Sequence, residues 1–173
     1  MHHRIATLDD AAAVAALHAD SWRRHYRGSY SDRYLDEDAD ADRVRVWTER
    51  LGTPNPDATT LLMVDDGMLV GFVHVVLDAD PEHGALLDNL HVVHDRQGGG
   101  IGRQLMARAA EVVVARRPGQ GLYLWVLEAN EPAQAFYARC GGTLAGAATS
   151  EPPGGGAVTA LRCVWPDPRT LSA

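Results

Sequence analysis

Lysine is absent from this chain: all 16 basic residues are arginines, set against 23 aspartates and glutamates for a net charge of −7. An acidic chain without a basic stripe lacks the electrostatic footprint of a nucleic-acid binder. It suits a cationic or neutral substrate better than an anionic one. Cysteine is scarce, and Cys140 and Cys163 show no metal-ligand spacing, so they read as two reduced, buried thiols. His2, His3, His18, His25, His83 and His94 form neither H-x-x-x-H nor H-E-x-x-H, and no metal is expected. No apolar run approaches membrane-spanning length, and Met1-His2-His3-Arg4 has no apolar h-region behind it. A cytoplasmic protein with no membrane partner is the expectation. No internal repeat occurs.

What is present is an ordinary globular composition. Hydrophobic residues make up 46% of 173 residues, enough for a core without disulfide or metal staples. One domain spanning residues 1–173 is expected.

The most informative stretch runs from Leu90 to Leu105. An apolar β-prone run, Leu86 to Val93, meets a glycine cluster at Gly98, Gly99, Gly100 and Gly102. A helical pattern follows at once, with Ile101, Leu105, Ala109, Val112 and Val113 at helix spacing. Strand, glycine turn and helix start form an anion site, because first-turn N–H groups are unpaired and the helix dipole adds positive charge there. The glycines fit neither G-x-G-x-x-G nor the Walker tetrad. They do fit Q-x-x-G-x-G through Gln97, Gly100 and Gly102. A turn of this composition also occurs with no ligand at all.

A second motif is more specific: Asn130-Glu-Pro-Ala133-Gln-Ala-Phe136-Tyr137-Ala-Arg-Cys-Gly141-Gly142. Asn130 is a helix cap, and Pro132 sits near the helix start, where its missing N–H costs nothing. Ala133, Phe136, Tyr137 and Cys140 then fall on one face. Taken alone, this is a capped core helix with a buried tyrosine.

Together the two motifs resemble the GNAT superfamily, the GCN5-related N-acetyltransferases. The second matches that family's N-x-x-A-x-x-F-Y-x-x-x-G-F except at the last position, where Gly142 stands for phenylalanine. The order of elements agrees along nearly the whole chain. A strand over Arg4–Leu8 precedes a helix over Ala11–Arg24 capped by Asp9 or Asp10, and a second helix starts at Ser31 or Asp32 and ends near Leu51. Thr60–Val64 and Met68–Leu77 form a hairpin through Asp66-Gly67, and Ala85–Val93 is its third strand. The glycine-loop helix stops at Pro118-Gly119. Leu122–Leu127 reads as a central strand buried on both faces. The helix from Asn130 and strands Thr143–Ala147 and Ala157–Trp165 complete an α/β fold. The resemblance implies a mixed, mostly antiparallel sheet of about seven strands with helices on both faces.

The resemblance also implies acetyl-CoA as cosubstrate, with no metal. Gln97, Gly98, Gly99, Gly100, Ile101, Gly102 and Arg103 would hold its pyrophosphate, and Leu90, His91 and Val92 its pantetheine arm by strand addition. Asn130 and Tyr137 would complete the cofactor site, with Tyr137 as the acid that protonates the leaving thiolate. The attacking amine must be neutral, yet α-amines have pKa near about 8 and lysine-like amines about 10.4. Asp88 is the candidate base, placed by alternation on the side of Leu90 and Val92 and opposite His91. His91, His74 and a water relay are its rivals. Ser21-Trp22-Arg23-Arg24-His25-Tyr26-Arg27-Gly28 resembles a bacterial subgroup's S-W-R-x-x-Y-x-G, which implies Trp22 and Tyr26 at the acceptor pocket; core aromatics are the alternative. The expected partners are a small-molecule or peptide amine and, as one option, a second copy in a homodimer. An acetyl-CoA-dependent N-acetyltransferase is the leading reading, and a noncatalytic acyl-CoA-binding or sensory module of the same fold is its rival.

Overall fold

In the computed structural model, which describes residues 1–171, seven strands form one sheet. They are β1 (His2–Ile5), β2 (Ala58–Asp65), β3 (Met68–Asp80), β4 (Gly84–Val92), β5 (Leu122–Leu127), β6 (Thr143–Ser150) and β7 (Val158–Trp165). Their spatial order is β1-β2-β3-β4-β5-β7-β6, with every neighbouring pair antiparallel except β4–β5. Helices α1 (Ala11–His25) and α2 (Ala39–Gly52) pack on one face of the sheet, and α3 (Ile101–Arg116) and α4 (Glu131–Arg139) on the other. This is the mixed α/β sandwich expected. Residues 172–173 of the expected 1–173 domain lie outside the described residues.

Local sequence explains most boundaries. Asp66 and Gly67 both take positive φ, +48° and +79°, the hairpin geometry that matches strand twist. The Ser31 hydroxyl accepts the Tyr34 N–H at 3.2 Å and so starts the second helical segment. A π-helical turn at Tyr34–Asp38 leads that segment into α2 and turns Tyr34 and Leu35 inward. β1 ends earlier than expected, because Leu8–Asp10 forms a 3₁₀ turn. Asp10 occupies the cap position of α1 without capping it. Its carboxylate instead turns back to the Thr7 N–H at 2.8 Å and to Arg4.

Two apolar layers enclose the sheet. Leu105, Met106 and Val113 of α3 pack on Val73 and Leu122, while Val14 of α1 and Trp47 of α2 pack on Leu62 and Phe72. Each fully buried side chain of this size contributes about 1.5–3 kcal/mol. One expectation needs correction: β5 is buried on both faces except at Trp125. Leu122, Leu124 and Val126 point into the α3 layer, but Trp125 points to the opposite face and is 37% exposed. The helices α1 and α2 cover the first strands of the sheet and leave this part of their face open.

Gly142 has a structural reason for replacing phenylalanine. A Cβ there would run into Cys163 Sγ and the Trp165 ring, 2.6 Å from its Cζ2. The Trp165 ring on β7 fills the space by the α4 exit.

Candidate active site

β4 and β5 pair only at Ala85↔Leu122 and Leu86↔Tyr123 and then part. Beyond that point the β5-facing backbone of residues 87–92 has no strand partner, although β3 pairs its other edge. The parted strands open a cleft of about 440 Å³. Leu90, His91 and Val92 form one wall, Trp125 and Val126 the other, and the glycine turn and α4 close its ends.

At the glycine end, Gly98 and Gly100 have φ of +78° and +84°, a region that side chains other than glycine's rarely enter. No atom lies within 4 Å of where either Cβ would stand, so the turn leaves open space on that side. The Gly100 carbonyl accepts the first α3 hydrogen bond, from Gln104 N at 3.1 Å. The N–H groups of Ile101, Gly102 and Arg103 therefore have no helical partner. Gln97 folds back and donates Nε2–H to the Val92 carbonyl at 3.2 Å, tying the turn to the end of β4. Arg103 and Arg139 line the same cleft and form no ion pair among the described residues. Gly99 and Ile101 stand outside the lining, and Ile101 is instead buried in the core.

At the far end, Asn130 Oδ1 accepts the Ala133 N–H at 3.2 Å and starts α4. The helix then presents Pro132, Phe136, Tyr137 and Arg139 to the cleft. Burial pushes the Tyr137 phenol above its ordinary range, and the neighbouring Tyr26 adds to the shift. It stays protonated and available as a donor.

The α1 side of the cleft carries Ser21, His25 and Tyr26. His91 Nδ1 lies 2.8 Å from Ser21 Oγ, and burial lowers its pKa to about 3. Its ring packs at a tilt of 33° against His18, centroids 4.5 Å apart. Trp47 donates its indole N–H to His18 Nδ1 at 3.0 Å, which leaves the proton of neutral His18 on Nε2. That Nε2 is buried without a partner. His74 is buried as well, 2.7 Å from Thr60 Oγ1 through Nδ1, with its pKa lowered to about 4 by burial. Trp22 packs behind Tyr26, buried under the Arg43 guanidinium at 4.2 Å, and does not line the cleft.

Asp88 is displaced from the expected side of its strand. The β3–β4 register jumps between His74↔Asn89 and Val75↔Leu87, so Asp88 is the extra residue of a bulge. The bulge interrupts two-residue alternation, and Asp88 faces α2 together with His91 rather than siding with Leu90 and Val92. Its Oδ2 meets Arg50 Nη1 at 2.7 Å, and the same arginine donates to Asn89 Oδ1 at 2.9 Å.

Sequence reasoning missed Arg139 and Trp125. Arg139 stands seven residues after Pro132 and three after Phe136, one helical face that could have been read with the motif. Among the described residues no group of three or more His, Cys, Asp or Glu side chains is placed to hold a metal, and no helix is long and apolar enough to cross a membrane.

The family model described as the acetyltransferase (GNAT) family matches residues 18–142. The uncharacterized N-acetyltransferase YuaI of Bacillus subtilis (strain 168) is 26% identical over 136 residues, 78% of this chain and 75% of that one. The PaiA N-acetyltransferase of Thermoplasma acidophilum, solved in complex with coenzyme A, superposes with a TM-score of 0.69 at 20% identity, over 94% of this chain and 98% of that one. Nourseothricin acetyltransferase superposes with a TM-score of 0.58 at 34% identity, over 66% and 69%.

Proposed function

The chain belongs to the GNAT acetyltransferase family, and from that premise we propose that it is an N-acetyltransferase that takes the acetyl group from acetyl-CoA and gives it to a primary amine by direct attack. The observation that carries the reading is the cleft between β4 and β5, lined by the glycine turn, by Arg103 and Arg139 and by a protonated phenol on α4. Coenzyme A in the related PaiA enzyme adds support.

The residues present fit the cosubstrate. Gly98 and Gly100 leave room where a Cβ would stand, and the α3 amides offer donors to a pyrophosphate. Arg103 and Arg139 supply countercharge. When bound, acetyl-CoA supplies the acetyl group as an activated thioester and departs as a thiol. The free edge of β4 at Leu90–Val92 aligns the pantetheine arm by backbone hydrogen bonds and can polarise the thioester carbonyl. Tyr137 donates its proton to the leaving sulfur. Asp88 takes a proton from the acceptor ammonium and so frees the neutral amine that attacks the thioester. It lies outside the cleft lining, so an intervening water carries that proton to the carboxylate oxygen that Arg50 does not hold. Tyr26 forms the acceptor-side wall.

The test is thiol release from acetyl-CoA across amino acids, polyamines, aminoglycosides and N-terminal peptides. At least one amine should release thiol well above the hydrolysis rate. Tight acetyl-CoA binding with no release across the whole panel would instead point to a binding module.

A further inference from the structure

Asp88, Trp125 and Arg162 lie on one row across the open face of the sheet. Trp125 pairs directly with Arg162, and Leu86↔Tyr123 places Asp88 level with Trp125 across the parted strands. The two charged ends of this row differ. Asp88 is offset by Arg50 at 2.7 Å. Arg162 meets no carboxylate at ion-pair distance among the described residues. Its guanidinium lies over the Trp125 ring, 4.6 Å from the centroid, on a side chain that itself lines the cleft. Its Nη1 donates to His83 Nε2, an acceptor without negative charge. Its Nε is buried with no partner, and Nη2 donates to no group among the described residues. Asp80 senses this cation, but its Oδ1 is taken by the N–H groups of Glu82 and His83 at 2.8 and 2.9 Å.

A half-buried guanidinium over an indole, with donors to spare and no countercharge, has the chemistry to receive a carboxylate. Arg162 is not itself among the residues that line the cleft, but the Trp125 ring it covers is, so a carboxylate held there would sit next to the cleft and select among amines. We propose that Arg162 anchors a carboxylate on the acceptor, so that the amine acetylated here belongs to an amino acid. This rests on the N-acetyltransferase reading above. Arg162 stands one strand beyond β5, and strands lie about 4.8 Å apart. The amine and carboxylate of the acceptor are therefore separated by only a few bonds, as in α- to γ-amino acids. The negative net charge of the chain points toward cationic acceptors, but the local charges favour an anionic group, and short range decides inside a pocket.

The test is calorimetric titration of the CoA-saturated protein with a panel of α-, β- and γ-amino acids and the carboxamide of each. Wild type should bind at least one free acid about ten- to a hundredfold more tightly than its amide. Arg162→Gln should abolish that preference with CoA affinity unchanged, and Arg162→Lys, which keeps charge but not the fork, should retain part of it. Equal binding of acids and amides, a preference that survives Arg162→Gln, or no binding of any free acid would overturn the proposal. Thiol release in matched acetyl-CoA samples reports separately on catalysis. Selective binding without turnover would sink the enzyme reading and leave the acceptor class standing.

Discussion

Asp88 Oδ2 lies 2.7 Å from Arg50 Nη1, so the carboxylate proposed to collect the amine proton is tethered to α2 at a bulge in β4. Arg50 also donates to Asn89 at 2.9 Å, and it stays in place when Asp88 changes. Asp88→Asn should therefore fold normally and lower acceptor kcat/KM about 10²–10⁴-fold well below the amine's own pKa. The deficit should shrink as pH rises and neutral amine becomes abundant. A pH–rate profile that superimposes on wild type would move the base to a histidine or to water.

Arg103 and Arg139 form no ion pair among the described residues, yet both line the cleft. Each arginine→glutamine variant should raise the acetyl-CoA KM by roughly three- to tenfold at low ionic strength, with less effect as salt screens the charges. Thermal midpoints should stay within a degree or two of wild type, by the order of magnitude expected for exposed charges. Unchanged acetyl-CoA KM in both variants would place the phosphates elsewhere.

The buried histidines set the acid limit of the fold. His91 and His74 have pKa values lowered to about 3 and about 4, and burial also depresses His18. Below the unfolded value of about 6.5 the unfolded chain binds protons that the folded chain refuses, so stability falls with pH until the folded values are reached. His74 and His91 should each withdraw on the order of 3 kcal/mol across that window. Asp10 and Asp42, held near 2 with Arg4 and Arg43 beside them, lose their contribution only below the ordinary carboxylate range. The urea midpoint should thus drop steeply between pH 6.5 and about 4, and His74→Gln should flatten the slope. A midpoint that holds steady down to pH 4 would contradict the burial of these rings.

Much of this molecule was legible in its residues because the informative signals are local. Asp66-Gly67 set a hairpin, Asn130 and Pro132 start α4, and the glycines from Gly98 to Gly102 mark the α3 turn. Each needs only its chain neighbours. The face of Asp88 was misread because a bulge is decided by pairing with β3, and nothing in Leu87-Asp88-Asn89 announces it. β5 looks fully buried as a run of letters, but the exposure of Trp125 depends on where α1 and α2 stop covering the sheet. Arg162 stayed invisible for a related reason. Its meaning lies in Trp125, 37 positions away, and in the lack of a carboxylate partner, which no sequence window displays.

The central claim is catalysis by proton delivery from Tyr137, and single-turnover acetyl transfer by Tyr137→Phe tests it most directly. The variant keeps the aromatic ring that packs 6.2 Å from Trp165, so fold and acetyl-CoA affinity should match wild type. Only the phenolic proton is lost, and the rate of the chemical step should fall about 10²–10⁴-fold. An undiminished single-turnover rate with acetyl-CoA bound as tightly as in wild type would contradict the account.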